Sequence, residues 1–304
     1  MSGVLEVAYN VIAPILLTIG LGAALGRYAD PEPRTFATGT LYLFGPCLVI
    51  SGISQSELAA GEMGQVALMV VLFTLIMTAL AWLASFRLER RTQSAFLLSV
   101  ALINAGNFGL PFAEFAFGEE GREIAVLVFV TTSVMSNTLG VFLASRGSFP
   151  IREALINVFK VPLPYATFAA LFMNFGDIAL PVPLARCIEI LSQATVPCML
   201  VLVGLQLSRL SVRTANRERR QTVLLSVVMR LLLSPIVVLV IALLMGISGI
   251  TRDVVLLQLS MPTAVASLTL ATEFGSDYEF ITTSILISTI ASIVSLSVIL
   301  GLLL

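Results

Sequence analysis

The sequence predicts an all-α integral membrane protein. Three observations carry that: a large excess of apolar residues, apolar runs of helical length, and basic residues gathered in alternate loops. The 304 residues are 58% apolar before glycine is counted and 12% charged, with a mean hydropathy of +1.01. Soluble domains carry about 45–50% apolar residues with glycine included and about 25% charged. A soluble core has no room for the surplus, whereas lipid solvates it. Runs such as 66–86, 221–246 and 279–304 suit the roughly 20 residues that cross hydrocarbon as a helix and far exceed the ~10 of a barrel strand. At that depth every backbone group must be paired internally, which a helix does by itself.

Dividing the apolar runs at their polar breaks gives ten spans. Spans 1 and 2, near 8–26 and 36–54, are parted by Arg27 to Arg34 with Asp30, Pro31, Glu32 and Pro33. Span 3, near 65–86, ends before Arg87, Glu89, Arg90 and Arg91. Spans 4 and 5, near 94–117 and 122–144, flank Gly118-Glu119-Glu120-Gly121. A linker over 146–161, expected to be cytoplasmic, precedes span 6, near 162–177. Pro181-Val182-Pro183 leads into span 7, near 185–208, and an arginine-rich run over 209–220 leads into span 8, near 221–246. Spans 9 and 10, near 253–274 and 279–303, flank Gly275-Ser276-Asp277.

Loop charge sets the orientation, because cytoplasmic loops collect Lys and Arg. With the N-terminus outside, the inner loops hold thirteen basic residues: Arg27, Arg34, Arg87, Arg90, Arg91, Arg146, Arg152, Lys160, Arg209, Arg213, Arg217, Arg219 and Arg220. The outer loops hold three, Arg122, Arg186 and Arg252. Both termini are therefore expected outside a cell (inner) membrane crossed many times. The start carries Glu6 and no basic residue, so the first apolar run reads as span 1 rather than a cleavable signal.

Composition also excludes classes of function. Histidine is absent, which removes histidine proton relays and His-based triads. Cys47, Cys187 and Cys198 lie in or beside apolar runs without metal spacing, and read as small buried residues rather than a disulfide framework. No clustered carboxylates and no nucleophile with its base are visible, so an enzyme is not expected. A net charge of −1 gives no reason to expect a nucleic-acid partner. The 209–220 arginines read as an inner anchor suited to anionic lipid.

The halves echo each other. Pro31-Glu32-Pro33 and then Pro46-Cys47-Leu48 recur as Pro181-Val182-Pro183 and Pro197-Cys198-Met199. Ala116-Phe117-Gly118 before two acids recurs as Glu273-Phe274-Gly275 before Ser276-Asp277, at offsets of 150–157. A five-span unit repeated once must invert in the membrane, which makes 1–145 and 162–304 the expected repeats. Inverted repeats with discontinuous helices are a recurrent carrier architecture.

Two spans carry helix-breaking stretches at matching places. Span 4 holds Asn104-Ala-Gly-Asn107-Phe-Gly109-Leu-Pro111, and span 9 holds Gln258-Leu-Ser-Met-Pro262-Thr263-Ala. Glycine weakens a helix and proline removes a donor. Backbone groups freed in hydrocarbon cost several kcal/mol unless protein, water or a ligand satisfies them. Half-helix N-termini favour anions and C-termini favour cations. Two kinked helices would need no ligand; matched positions with Asn104 and Asn107 favour a solute pocket.

At these residues the chain resembles the auxin efflux carrier family, which includes bacterial carboxylate permeases and the plant PIN-type auxin carriers. Its fourth-span pattern N-x-x-x-x-G-[IL]-P is similar to Asn104–Pro111, and its ninth-span pattern to Met261-Pro262-Thr263-Ala264 running on to Glu273-Phe274. The resemblance implies a crossover of broken spans 4 and 9. It implies a scaffold of spans 1, 2, 6 and 7, a transport domain of spans 3–5 and 8–10, elevator-type movement of an organic anion, and a homodimer. Asn104, Pro111 and Pro262 carry over. The chain departs from the plant carriers at Ser267, where they have a second proline. It also lacks their acidic/basic pair, since Met77 to Ala81 is uncharged, and their long hydrophilic loop.

Polar groups inside the spans complete the candidates. Arg230 lies nine residues into span 8, about 13 Å deep at 1.5 Å per residue. An arginine there costs at least about 2.5 kcal/mol on insertion scales, so it faces protein or a cavity. It suits a carboxylate, with snorkelling or a structural ion pair as the plainer readings. Asn137 in span 5 either lines the site or bridges helices. Glu114 and Gln258 are candidates for handling a coupling H⁺ or Na⁺, and Glu114 fits an outer interface equally. No cofactor is expected. The leading reading is a secondary transporter of carboxylates or auxin-like acids; a passive channel and a non-transporting sensor are the alternatives.

Overall fold

The computed structural model describes residues 8–56, 58–145, 160–210 and 217–303. Arg146, Arg152, Arg213 and most of the 146–161 linker fall outside them. The regular secondary structure among the described residues is helical, apart from one isolated bridge, Ile103 to Thr263. In chain order the helices are α1 (Tyr9–Tyr28), α2 (Pro33–Ser54), α3 (Ala60–Ser85), α4 (Arg90–Ala101), α5 (Ala105–Ala144), α6 (Leu163–Phe175), α7 (Val182–Arg209), α8 (Arg219–Met245), α9 (Gly249–Leu259), α10 (Ala266–Phe274) and α11 (Tyr278–Leu303). Seven of them, α1, α2, α3, α5, α7, α8 and α11, are long and apolar enough to cross a membrane. The protein is a multi-pass membrane protein.

At 40 residues, α5 would be about 60 Å long if straight, twice the ~30 Å of hydrocarbon. It is not straight. Gly118 stands at φ 67°, ψ −149°, a conformation open only to glycine. A Cβ on Gly121 would fall 2.7 Å from the Ala113 carbonyl oxygen, and one on Gly106 would fall 2.6 Å from the Phe129 ring. Residues 23 apart touch only if the chain doubles back. The break expected between spans 4 and 5 is thus a single glycine, and α5 is a hairpin.

Span 6 is shorter than the sequence suggests. α6 has 13 residues and ends at Phe175, with Gly176 as its cap, because Asp177 turns into the left-handed region at φ 49°. The prolines that open α2 and α7 sit at the first turn, where a missing N–H costs nothing.

Small residues set the tightest packing. α7 lies along α1 with Gly204 against Ile19 and Gly22 against Val201. A Cβ on either glycine would come within 2.1 Å and 2.4 Å of a backbone oxygen. Close backbone approach through glycine is how helices associate where lipid offers no hydrophobic drive. α2 packs on both α6 and α7, and Thr195 on α7 donates to the Phe44 carbonyl beside Pro46 at 3.1 Å.

The perimeter is apolar: Leu21, Phe172, Leu243, Leu244 and Leu302 are exposed. Tyr9 and Tyr28, at opposite ends of α1, are 78% and 87% exposed, as befits interfacial aromatics. Charges collect at helix ends. Asp277 accepts the Phe280 N–H at 3.1 Å, which caps α11, and pairs with Arg219 at the start of α8; Glu279 lies 3.3 Å from the same arginine. Arg209 at the end of α7 pairs with Asp30 at 2.6 Å.

Candidate functional site

α4 stops at Ala101 and α9 stops at Leu259, and the chain winds again only at Ala105 and Ala266. The two unwound stretches lie against each other. Asn104 donates its N–H to the Pro262 carbonyl at 3.0 Å, and Ala264 donates to the Leu102 carbonyl at 3.0 Å. The pair forms a two-bond antiparallel bridge centred on Ile103 and Thr263. The local causes are those the sequence carries. Pro262 supplies no N–H. On the other side, the turn before Pro111 is wound wide over Ala105–Gly109, with the Gly109 N–H reaching the Asn104 carbonyl at 2.9 Å.

A helix end leaves four carbonyls without helical donors, and in lipid each needs another. At the end of α4, Leu98 O accepts from Leu102 N–H at 3.1 Å, Ser99 O from the Thr263 hydroxyl at 2.8 Å, and Val100 O from Arg230 Nη1 at 2.8 Å. At the end of α9, Leu256 O accepts from the Ser260 hydroxyl at 2.6 Å, Gln258 O from Met261 N–H at 3.3 Å, and Leu259 O from Arg230 Nη2. The end of α4 is finished by Thr263 of the other broken span and by Arg230, and the end of α9 by its own Ser260 and Met261 and by the same arginine.

Arg230 is fully enclosed. It projects from a π turn of α8, Met229–Leu233, and its Cζ lies 5.3 Å from the Phe73 ring centroid on α3, within cation–π range. It therefore neither reaches toward a surface nor pairs with an acid among the described residues. It spans two helix C-termini.

The other candidates gather unevenly. Asn104, Gly109, Pro262, Thr263 and Gln258 share the junction. A Cβ on Gly109 would fall 2.1 Å from Gln258 Oε1, so only glycine leaves space for that carboxamide. Gln258 is fully buried, yet among the described residues neither its oxygen nor its nitrogen has a partner, and the buried Ser99 hydroxyl has none either. Unpaired buried polar atoms cost about 1–3 kcal/mol each. Asn107 is half-buried in a turn that packs on α7. Asn137 stands apart: its amide donates to the Ser133 carbonyl at 2.8 Å within its own helix. Its π turn still borders the junction: a Cβ on Gly140 would fall 3.1 Å from the Leu102 side chain. Glu114 lies four residues before the Gly118 reversal and is half-buried.

Sequence reading missed three participants. Ser288 on α11 receives the Thr263 N–H at 3.3 Å; the buried stripe Ser284, Ser288, Ser292, at four-residue spacing, was the signal. Phe73 carried none. Arg122, read as an outer-loop charge, is 9% exposed and binds Glu119 at 2.8 Å and the Ser192 hydroxyl of α7 at 2.5 Å. It borders a cavity of about 840 Å³ between α2, α5, α6 and α7, lined also by Gln55, Asn174 and Gln193. That volume falls within the range of small-molecule pockets, ~300–1,000 Å³.

A family model described as membrane transport protein matches residues 10–153 and again 151–300. The chain is similar to an uncharacterized transporter of Methanothermobacter thermautotrophicus, 27% identical over 97% of this chain and 96% of the relative. A second uncharacterized transporter, from Methanocaldococcus jannaschii, is 26% identical over 93% and 94%. A Rhizobium meliloti protein, named provisionally as a malonate transporter, is 25% identical over 95% and 93%.

Proposed function

The chain belongs to the membrane transport protein family, the auxin efflux carriers, and from that premise we propose that it is a secondary transporter of small organic anions that carry a carboxylate. One observation carries the reading: two helices unwind at the same point, touch there, and restart with their N-termini at Ala105 and Ala266. Each N-terminus presents the equivalent of about half a positive charge. Their sum suits one carboxylate group. Asn104, Asn107 and the Gln258 amide supply neutral donors around it, Thr263 braces the junction beside them through Ser99 O and Ser288, and Gly109 and Pro111 shape the turn that presents them. Arg230 supports that arrangement from behind, and Asn137 is proposed to line its approach from the neighbouring π turn. The relative named for malonate falls within this substrate class.

Ten passes fit the reading when α4 with the first arm of α5, and α9 with α10, each count as one broken span. Glycines at positive φ close the arm at corresponding places, Gly118 at φ 67° and Gly275 at φ 68°, in line with inverted five-helix halves. The glycine-packed group of α1, α2, α6 and α7 is the proposed scaffold and dimer surface. The remaining helices form the moving unit of an elevator, which exposes the junction to one side of a cell membrane at a time, both termini lying outside. Coupling to H⁺, with Glu114 as carrier, belongs to the same proposal.

The test is flux of labelled mono- and dicarboxylates into vesicles holding the purified protein, with thermal-shift binding in parallel. Saturable uptake of at least one acid is expected, and loss of both binding and uptake in Asn104→Ala. Rapid non-saturating flux would make it a channel, and binding without flux a sensor. If no organic acid is bound or moved, the anion reading is refuted.

A further inference from the structure

We propose that Arg230 is the junction's resident cation, standing where a carrier of this design would otherwise bind a dissolved Na⁺, so that the site needs no metal ion to form. Unwound carbonyls and half-helix C-termini are what coordinate Na⁺ in broken-helix carriers. Here the two such ends, Val100 O and Leu259 O, are both taken by one guanidinium. The charges balance: each C-terminus is worth about −0.5 of an elementary charge, so the pair offsets the +1 of the arginine. No carboxylate among the described residues pairs with Arg230, and the ring of Phe73 lies within cation–π range, 5.3 Å from Cζ. A permanently charged group with a rigid fork can bridge two carbonyls on helices that belong to opposite halves of the chain. Arg230 is thus a positioning residue, which holds α4 and α9 end to end. The restarting N-termini are left with the uncompensated positive potential that an anion sees. This inference rests on the carrier reading for its meaning, though not for its test.

The test compares thermal unfolding of the purified protein in sodium, potassium, lithium, guanidinium and choline chlorides at constant ionic strength. Wild-type Tm is expected to be the same in sodium, potassium, lithium and choline, and to fall in guanidinium only linearly with concentration, as a denaturant acts, without a saturable rise. Arg230→Gln is expected to unfold earlier in choline and to be rescued saturably by guanidinium or Na⁺, by a shift on the order of several °C at saturating ion. Arg230→Lys, which keeps the charge, is expected to be intermediate and indifferent to the ion. A saturable Na⁺-specific rise in wild-type Tm would overturn the proposal, as would an Arg230→Gln protein of full stability without rescue. Should Arg230→Gln not fold, the wild-type and Arg230→Lys series decide alone. Carboxylate flux in sodium and in choline, expected to be equal, separates the two claims: absence of any flux defeats the carrier reading and leaves the unfolding result intact.

Discussion

Thr263→Val removes one hydroxyl and almost no volume, at a place where that hydroxyl has a single task. α4 ends at Ala101, and the residue that would donate to Ser99 O in a continuing helix, Ile103, lies in the unwound stretch. Thr263 Oγ1 donates instead, at 2.8 Å, from a residue only 1% exposed. Interhelical hydrogen bonds in membranes average about 0.6 kcal/mol and reach about 1.7, because unfolded partners are found elsewhere in the bilayer. A carbonyl at a broken helix end has no second donor at hand, so the upper figure applies. A loss of about 1.5 kcal/mol is expected, roughly tenfold in the unfolding equilibrium. The control is Thr272→Val, which deletes the same kind of bond, to Leu268 O at 2.8 Å, from an exposed position inside α10. It is expected to cost under about 0.5 kcal/mol, and Thr263→Ser little more. Reversible unfolding of purified protein by sodium dodecyl sulfate in mixed micelles measures all three. Equal losses in Thr263→Val and Thr272→Val would refute the claim that the span-9 stretch completes the broken end of α4.

Two further substitutions test the framework. Gly204→Ala places a Cβ 2.1 Å from the Ile19 carbonyl oxygen and 2.6 Å from the Ala23 nitrogen; both are backbone, so α1 and α7 must part. A cost at the upper end of the ~1–3 kcal/mol of overpacking is expected in the same unfolding assay, whereas Gly20→Ala, which meets nothing within 4 Å, is neutral or stabilising. Gly118→Ala has open space around it, yet forces a side chain into φ 67°, ψ −149°. It is expected to cost about 1–3 kcal/mol through the backbone alone, with cleavage by a soluble protease at the hairpin turn as a second readout.

The class of the protein, the position of most spans and both helix breaks were legible in the sequence, because each is a local property. Hydropathy over about twenty residues reports solvation by lipid, and Pro262 or the Gly106–Pro111 stretch disturbs its own helix wherever that helix sits. The resemblance to the auxin efflux carriers rested on those same local patterns. Length was legible less well. α6 is cut short by a left-handed Asp177 that hydropathy does not register, and the 4–5 break narrowed to Gly118 because a hairpin needs only one residue to reverse.

What only the tertiary structure decided is which groups finish which. Val100 and Arg230 are 130 residues apart, Ser99 and Thr263 164, and no periodicity links them. The sequence left Arg230 to choose among a substrate, an acid and the membrane surface, and it took two helix ends instead. Arg122 likewise passed from a loop charge to a buried contact with α7. The physical reason is common to both: a lone polar group in lipid must find a partner, but one carbonyl is as good as another until packing brings a particular one within reach.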